Sequence, residues 1–239
     1  MNNIFLEDLF DSLNSENIDY LVLRGYQHLP QKYSHDIDFS VIDEPELQSF
    51  FNVLHNLSKK YDYSISRDVV RVGLIKVFLH FGEGILKIDV FCAFEYAGLE
   101  YFNSIDLHES KRKLPSGIYV PLLNYELAIS LLKEILHNSR IRKDKVDLLR
   151  SQYDKKTFKH PLEKYFSNNN IKQLSASLFS HEKLVFKKVS RNFRFVLLLT
   201  NLKYNGIIKT FKKILSFFVV KYLCQHKYDY VILNNNLRG

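Results

Sequence analysis

Asp36 and Asp38 are the residues whose spacing carries the most chemistry, in the run Ser34-His35-Asp36-Ile37-Asp38-Phe39-Ser40-Val41. Apolar Ile37, Phe39 and Val41 fill the alternate positions, the period of a strand with one buried face. On such a strand both carboxylates point to the same side. Two like charges so placed repel unless a cation lies between them. A Mg²⁺ ion held by carboxylates, water and substrate phosphates answers that need. A solvated strand end answers it too, since Asp-x-Asp is a common tripeptide.

Two neighbouring stretches extend the pattern. Tyr20-Leu21-Val22-Leu23 reads as a short buried strand that runs into Arg24-Gly25. Ile85-Leu86-Lys87-Ile88-Asp89-Val90-Phe91 is an apolar strand with one carboxylate, Asp89, in its interior. A lone carboxylate there is costly unless paired or coordinated. Alternation puts Lys87 on the same face, so either a Lys87 ion pair or a metal can balance Asp89. Three strands would then bring a glycine turn, a carboxylate pair and a third carboxylate together.

This order resembles the nucleotidyltransferase superfamily that includes DNA polymerase beta, aminoglycoside nucleotidyltransferases and small toxin-type enzymes. Its signature is a strand, a Gly-Gly or Gly-Ser turn, about ten residues, Asp-h-Asp-h (h apolar) and a later strand with a third Asp. The matching residues are Gly25, Asp36-Ile37-Asp38-Phe39 and Asp89. Val22-Leu23-Arg24-Gly25, Leu29-Pro30 and Asp36-Ile37-Asp38 look most like a bacterial branch found with polysaccharide-synthesis genes or fused to a kinase-like domain. The turn's usual second small residue is here Tyr26. The resemblance implies two Mg²⁺ ions, one brought with the NTP, on Asp36, Asp38 and Asp89, which are also its catalytic residues. It implies that Gly25 and its neighbours face the triphosphate, with Arg24, Tyr26, Ser34 and Lys87 as candidate substrate-binding side chains.

Composition narrows the setting. A hydrophobic share of 46% with 25% charged residues is that of a folded globular chain and excludes disorder. Cys92 and Cys224 stand far apart in no metal-ligand spacing, which predicts a reduced, cytoplasmic environment. The first residues lack the basic start of a secretory signal, and no apolar run is long enough to span a bilayer. The net charge of +8 hides an asymmetry: 11 Lys+Arg against 19 Asp+Glu over residues 1–132, then 23 against 7 over 133–239. Such a split predicts two functional halves, with either an anionic partner for the second or scattered solvated lysines.

Along the chain, helix spacing covers Ile4–Leu13 and about 43–61, the latter opened by Asp43-Glu44-Pro45-Glu46. A meander over 63–94 is punctuated by Gly73 and by Gly82-Glu83-Gly84. A connection over 96–113 with a short helix near 104–110, a strand at Gly117–Pro121 and an amphipathic helix over 124–137 follow. From Val146 the pattern is helical, with basic amphipathic stretches around 183–194 and 207–224 that suit packing, a membrane surface, an anionic glycan or nucleic acid. Tyr228–Leu233 reads as a short strand. No Gly-x-x-x-x-Gly-Lys-Ser/Thr occurs, so P-loop kinase chemistry is not expected.

The resulting expectation is an α+β nucleotidyltransferase fold over 1–140, a small mixed sheet with helices, and a basic helical domain over 141–239. The expected activity is transfer of a nucleoside monophosphate from an NTP to an acceptor hydroxyl by two-metal catalysis. The resemblance points to surface-polysaccharide synthesis. The acceptor is expected to be anionic or membrane-associated, with nucleic acid open as a partner. The expected location is the cytoplasm, with peripheral attachment to the inner face of the membrane open. Two alternatives stand beside this: a toxin-type enzyme acting on tRNA or protein, and a non-catalytic binding module.

Overall fold

The computed structural model describes residues 3–32, 36–71, 73–82, 84–179 and 183–223. The fold is α+β, with a mixed five-stranded sheet and a helical C-terminal region. By packing, the described residues form two compact units, one within 3–94, 103–121 and 215–223, the other within 95–102 and 122–214.

The first unit begins with α1 (Asn3–Ser15) and β1 (Tyr20–Arg24), followed by a 3₁₀ turn at Tyr26–His28. Then come β2 (Asp36–Val41), α2 (Glu44–Tyr61), β3 (Ser64–Arg71), β4 (Leu74–Phe81) and β5 (Gly84–Phe91). The strands lie in the order β1-β2-β5-β4-β3. β2 and β5 run parallel, and the remaining neighbours are antiparallel. The alternation read from the sequence gives the sheet two unlike faces. Ile37, Phe39, Val41, Val77, Leu79, Leu86, Ile88 and Val90 line one face and join a single core with Phe5, Leu9, Phe50 and Leu54 from the two helices. Phe39 sits at its centre, its ring 5.0 Å from Phe50, 5.9 Å from Phe10 and 5.9 Å from Tyr20. The other face carries the polar residues.

Local signals fix the edges of these elements. The Asp43 side chain caps α2 by accepting from the Glu46 amide at 3.0 Å, while Lys59 and Lys60 meet its negative end. Gly73 turns β3 into β4 with φ +79°, and an added Cβ would lie 2.6 Å from that of Ala93. Only glycine fits that bend without a shift of the chain. After β5, α3 (Ser104–Glu109) leads into a hairpin of β8 (Lys111–Lys113) and β9 (Tyr119–Pro121). Val120, with Ile118 just before β9, enters the same core, and Tyr119 stands edge-on to Tyr20.

In the second unit, Ala97 and Gly98, both at positive φ, turn β6 (Phe94–Tyr96) into β7 (Leu99–Phe102). β7 and β8 fall in the stretch that sequence periodicity reads as a connection. Helices α4 (Leu123–Lys133), α5 (Lys143–Ser151), α6 (Lys155–Phe158) and α7 (Asn168–Phe179) follow, with α8 (Lys183–Leu223) belonging to this unit as far as Ile214. The helix expected to reach residue 137 is α-helical to Lys133 and π-helical over Glu134–Asn138. Glu134, 2% exposed, accepts from Asn138 Nδ2 and from the backbone and guanidinium of Arg142. The predicted strand at Tyr228–Leu233 lies outside the described residues, as do Ser34 and His35. Among the described residues, no helix is long and apolar enough to cross a membrane.

Candidate metal centre

The polar face of the sheet gathers its charges where β1, β2, β5 and β4 lie side by side. In the parallel pair, Asp38 is the register partner of Asp89, and Asp36 of Lys87. Register partners share a face. Arg24 pairs with Asp38 on one side, and Lys76 with Asp89 on the other. Asp68 on β3 stands opposite Lys76. One row therefore crosses all five strands as Arg24, Asp38, Asp89, Lys76 and Asp68, and Asp36 with Lys87 begins the next.

Asp36, Asp38 and Asp89 each offer a carboxylate oxygen, and the three oxygens lie within 4.8 Å of one another. Their environments are graded: Asp36 is exposed, Asp89 half-buried, and Asp38 2% exposed. A buried carboxylate needs hydrogen bonds or an opposite charge. Arg24 supplies both, its Nε donating to Oδ2 and its Nη2 to Oδ1 of Asp38 at 3.0 Å. Burial disfavours the charged guanidinium, but the hydrogen bond to Asp38 and the charges of Asp38, Asp36 and Asp89 outweigh it. Arg24 is held protonated more firmly than an ordinary arginine.

Gly25, next along the chain, adopts the left-handed conformation (φ 70°, ψ 17°) and is exposed, with no atom within 4 Å of where a Cβ would be. Its requirement is conformational. The bend sends Tyr26 back into the core, where it is 6% exposed. Arg112 of β8 lies over the Tyr26 ring at 6.0 Å, with Nη2 3.5 Å from the hydroxyl. The structure thus brings Arg24 together with Asp36, Asp38 and Asp89 and keeps Gly25 adjacent. It sets Lys87 opposite Asp36 and packs the Tyr26 ring into the core. Lys76 was not singled out by sequence reasoning, although it stands between Ile75 and Val77 as Asp89 stands between Ile88 and Val90.

A second polar network braces the same strand. Ser40, two residues beyond Asp38, shares a hydrogen bond of 3.1 Å with His108 Nε2. His108 Nδ1 donates to Asp19 at 2.7 Å, and Lys111 Nζ donates to the same oxygen at 2.9 Å. Ser40 is 0% exposed, so this serine–histidine–aspartate chain has no solvent-facing nucleophile. It ties the entry of β1 to β2, α3 and β8. Burial pushes the Asp19 carboxyl up, but the bonds from His108 and Lys111 win and hold it below the usual carboxylate value.

The donor set suits a hard divalent cation: three carboxylates converge, as Mg²⁺ and Ca²⁺ prefer. Each carboxylate also has a cation beside it in register, so the protein balances much of this charge itself. The sequence matches no protein-family model, and no curated protein matches it.

Proposed function

We propose that this protein is a Mg²⁺-dependent nucleotidyltransferase that moves a nucleoside monophosphate from an NTP to an acceptor hydroxyl and releases pyrophosphate. The observation that carries the reading is the convergence of Asp36, Asp38 and Asp89 to within 4.8 Å on adjacent parallel strands, beside an exposed glycine bend. Asp36, Asp38 and Asp89 would hold the Mg²⁺. Bound there, the ion would polarise phosphoryl oxygens and offset charge on the attacking and leaving oxygens. Asp89 would help draw the proton from the acceptor hydroxyl. The Gly25 bend leaves room for phosphate against the backbone, and the two donors of Arg24 now on Asp38 suit a phosphate equally well. An anionic or membrane-associated acceptor, such as a surface-polysaccharide precursor, suits the basic second half of the chain.

One observation favours a second reading, a non-catalytic binding module. Arg24 already occupies both oxygens of the most buried carboxylate, as it would in a closed ion-pair network.

Calorimetric titration with each NTP, with and without Mg²⁺, separates the two. The catalytic reading expects Mg²⁺-dependent binding that Asp36→Ala/Asp38→Ala abolishes, and pyrophosphate release once an acceptor is present. A wild-type protein that binds no NTP in Mg²⁺ would favour the binding module.

A further inference from the structure

The C-terminal helix has an outer face that the carboxylate site leaves unexplained. α8 breaks at Gly206 (φ 75°, ψ 167°) and resumes at Ile207. One side of the resumed helix is held down. Thr210, 1% exposed, donates to the Asn201 carbonyl at 3.0 Å. Lys213 pairs with Glu95 at 3.7 Å and Glu100 at 3.3 Å. The Lys213 carbonyl comes so near Gly98 that an added Cβ would be 2.5 Å away.

The other side is apolar and open. Ile207 is 67% exposed, Ile208 74% and Phe211 61%, and the same helix continues with Leu215 at 64%, Phe218 at 46% and Val219 at 37%. At 3.6 residues per turn these six positions fall within about 120° of arc, a continuous stripe. Exposed Lys209 and Lys212 border it.

The charge of the helix selects the partner. Across Lys183–Leu223, α8 carries ten Lys or Arg, five before residue 200 and five after, and no Asp or Glu. A second copy would bring its own Lys209 and Lys212 against these lysines, with no Asp or Glu on the helix to balance them. A polynucleotide would satisfy the charge but leave the isoleucines and phenylalanines unburied. An anionic bilayer satisfies both: headgroups take the lysines, and the acyl boundary takes the stripe. We propose that α8 docks in the plane of an anionic lipid surface through the face that begins at Ile207. The helix lies on the bilayer and does not cross it, in keeping with its hydropathy. The inference does not depend on the nucleotide reading.

The test is flotation of the full chain with phosphatidylcholine vesicles, with and without phosphatidylglycerol. Binding at least tenfold stronger with phosphatidylglycerol, weakened by salt, is expected. Ile208→Asp/Phe211→Asp and Lys209→Glu/Lys212→Glu should each reduce it tenfold or more. Because the chain has no tryptophan, Phe211→Trp adds an independent reporter whose emission should shift to the blue on these vesicles. Absence of vesicle binding, retention of binding by the aspartate variant, or an unshifted Phe211→Trp emission would each overturn the proposal. So would vesicle-free self-association that Phe211→Asp abolishes, or polynucleotide binding in place of lipid binding.

Discussion

Replacement of Arg24 by methionine removes the guanidinium from Asp38 while keeping most of the apolar stem. Asp38, 2% exposed, then faces Asp36 and Asp89 without its two donors. Unit charges 4.8 Å apart repel by about 3 kcal/mol at an effective dielectric constant of about 20. Breaking a buried ion pair costs about 3–5 kcal/mol. The Arg24 side chain is 30% exposed, which favours the lower end, about 3 kcal/mol. In a chain of this size that lowers the thermal midpoint by roughly 6–12 °C. A divalent cation on the three carboxylates acts in the opposite direction: at a hundred times its Kd it returns about 2.7 kcal/mol. The assay is thermal denaturation of wild type and Arg24→Met, followed by circular dichroism, in EDTA and across a Mg²⁺ or Mn²⁺ titration. The variant should lose the stated stability in EDTA and recover most of it with the cation. Its gain should exceed that of wild type, where Arg24 competes for Asp38. A loss that neither cation restores would refute the metal reading and leave a closed ion-pair network; no loss at all would refute the electrostatic reasoning.

Other perturbations test the parts around the site. Asp19 is held below the ordinary carboxylate range, so its contribution is fully present above the unfolded-state value of 3.8 and is lost as pH falls through the folded-state value. Asp19→Asn should cost about 2 kcal/mol near neutrality in urea denaturation, and the gap to wild type should narrow below about pH 4; a constant gap would count against it. Gly73→Ala combines a left-handed backbone with a 2.6 Å approach to Ala93 and should cost about 3 kcal/mol, whereas unchanged stability would mean the turn shifts freely. Glu134→Gln weakens the bonds from Arg142, whose side chain is 41% exposed and can turn to water, so a modest loss of about 1–2 kcal/mol is expected in the same assay.

Elements with strong periodicity were legible in the sequence. α1, α2 and the three-strand meander follow apolar spacing broken by Gly73 and Gly82, and the cap at Asp43 marks its helix start. The strands that escaped notice are those whose pairing is not written in apolar alternation. β8 is Lys111-Arg112-Lys113, exposed throughout, and is a strand because β9 pairs with it. β7 is four residues long and is fastened from far along the chain. The Asn201 amide accepts from the Glu100 amide N–H at 3.1 Å and donates to its carbonyl at 2.9 Å, across 101 residues. Local reading has no access to such a partner.

The site shows the same division between spacing and register. The sequence alone puts Asp36 and Asp38 on one face and marks Asp89 as costly, but their meeting depends on β5 lying parallel beside β2 with Asp89 at the level of Asp38. A one-residue slip would send Asp89 into the core and bring Ile88 to the carboxylates. The same register brings in Lys76, and the irregularity between Val22 and Arg24 in β1 sets Arg24 against Asp38. Tyr26 occupies a position where a second small residue would keep the glycine bend slender. In the structure its ring belongs to the core, and Gly25 remains exposed beside Arg24. The bulk of Tyr26 is therefore turned away from the bend, so that residue gives no steric ground for excluding phosphate from Gly25. The grip of Arg24 on Asp38 is the electrostatic contact with which a cation at this site must compete.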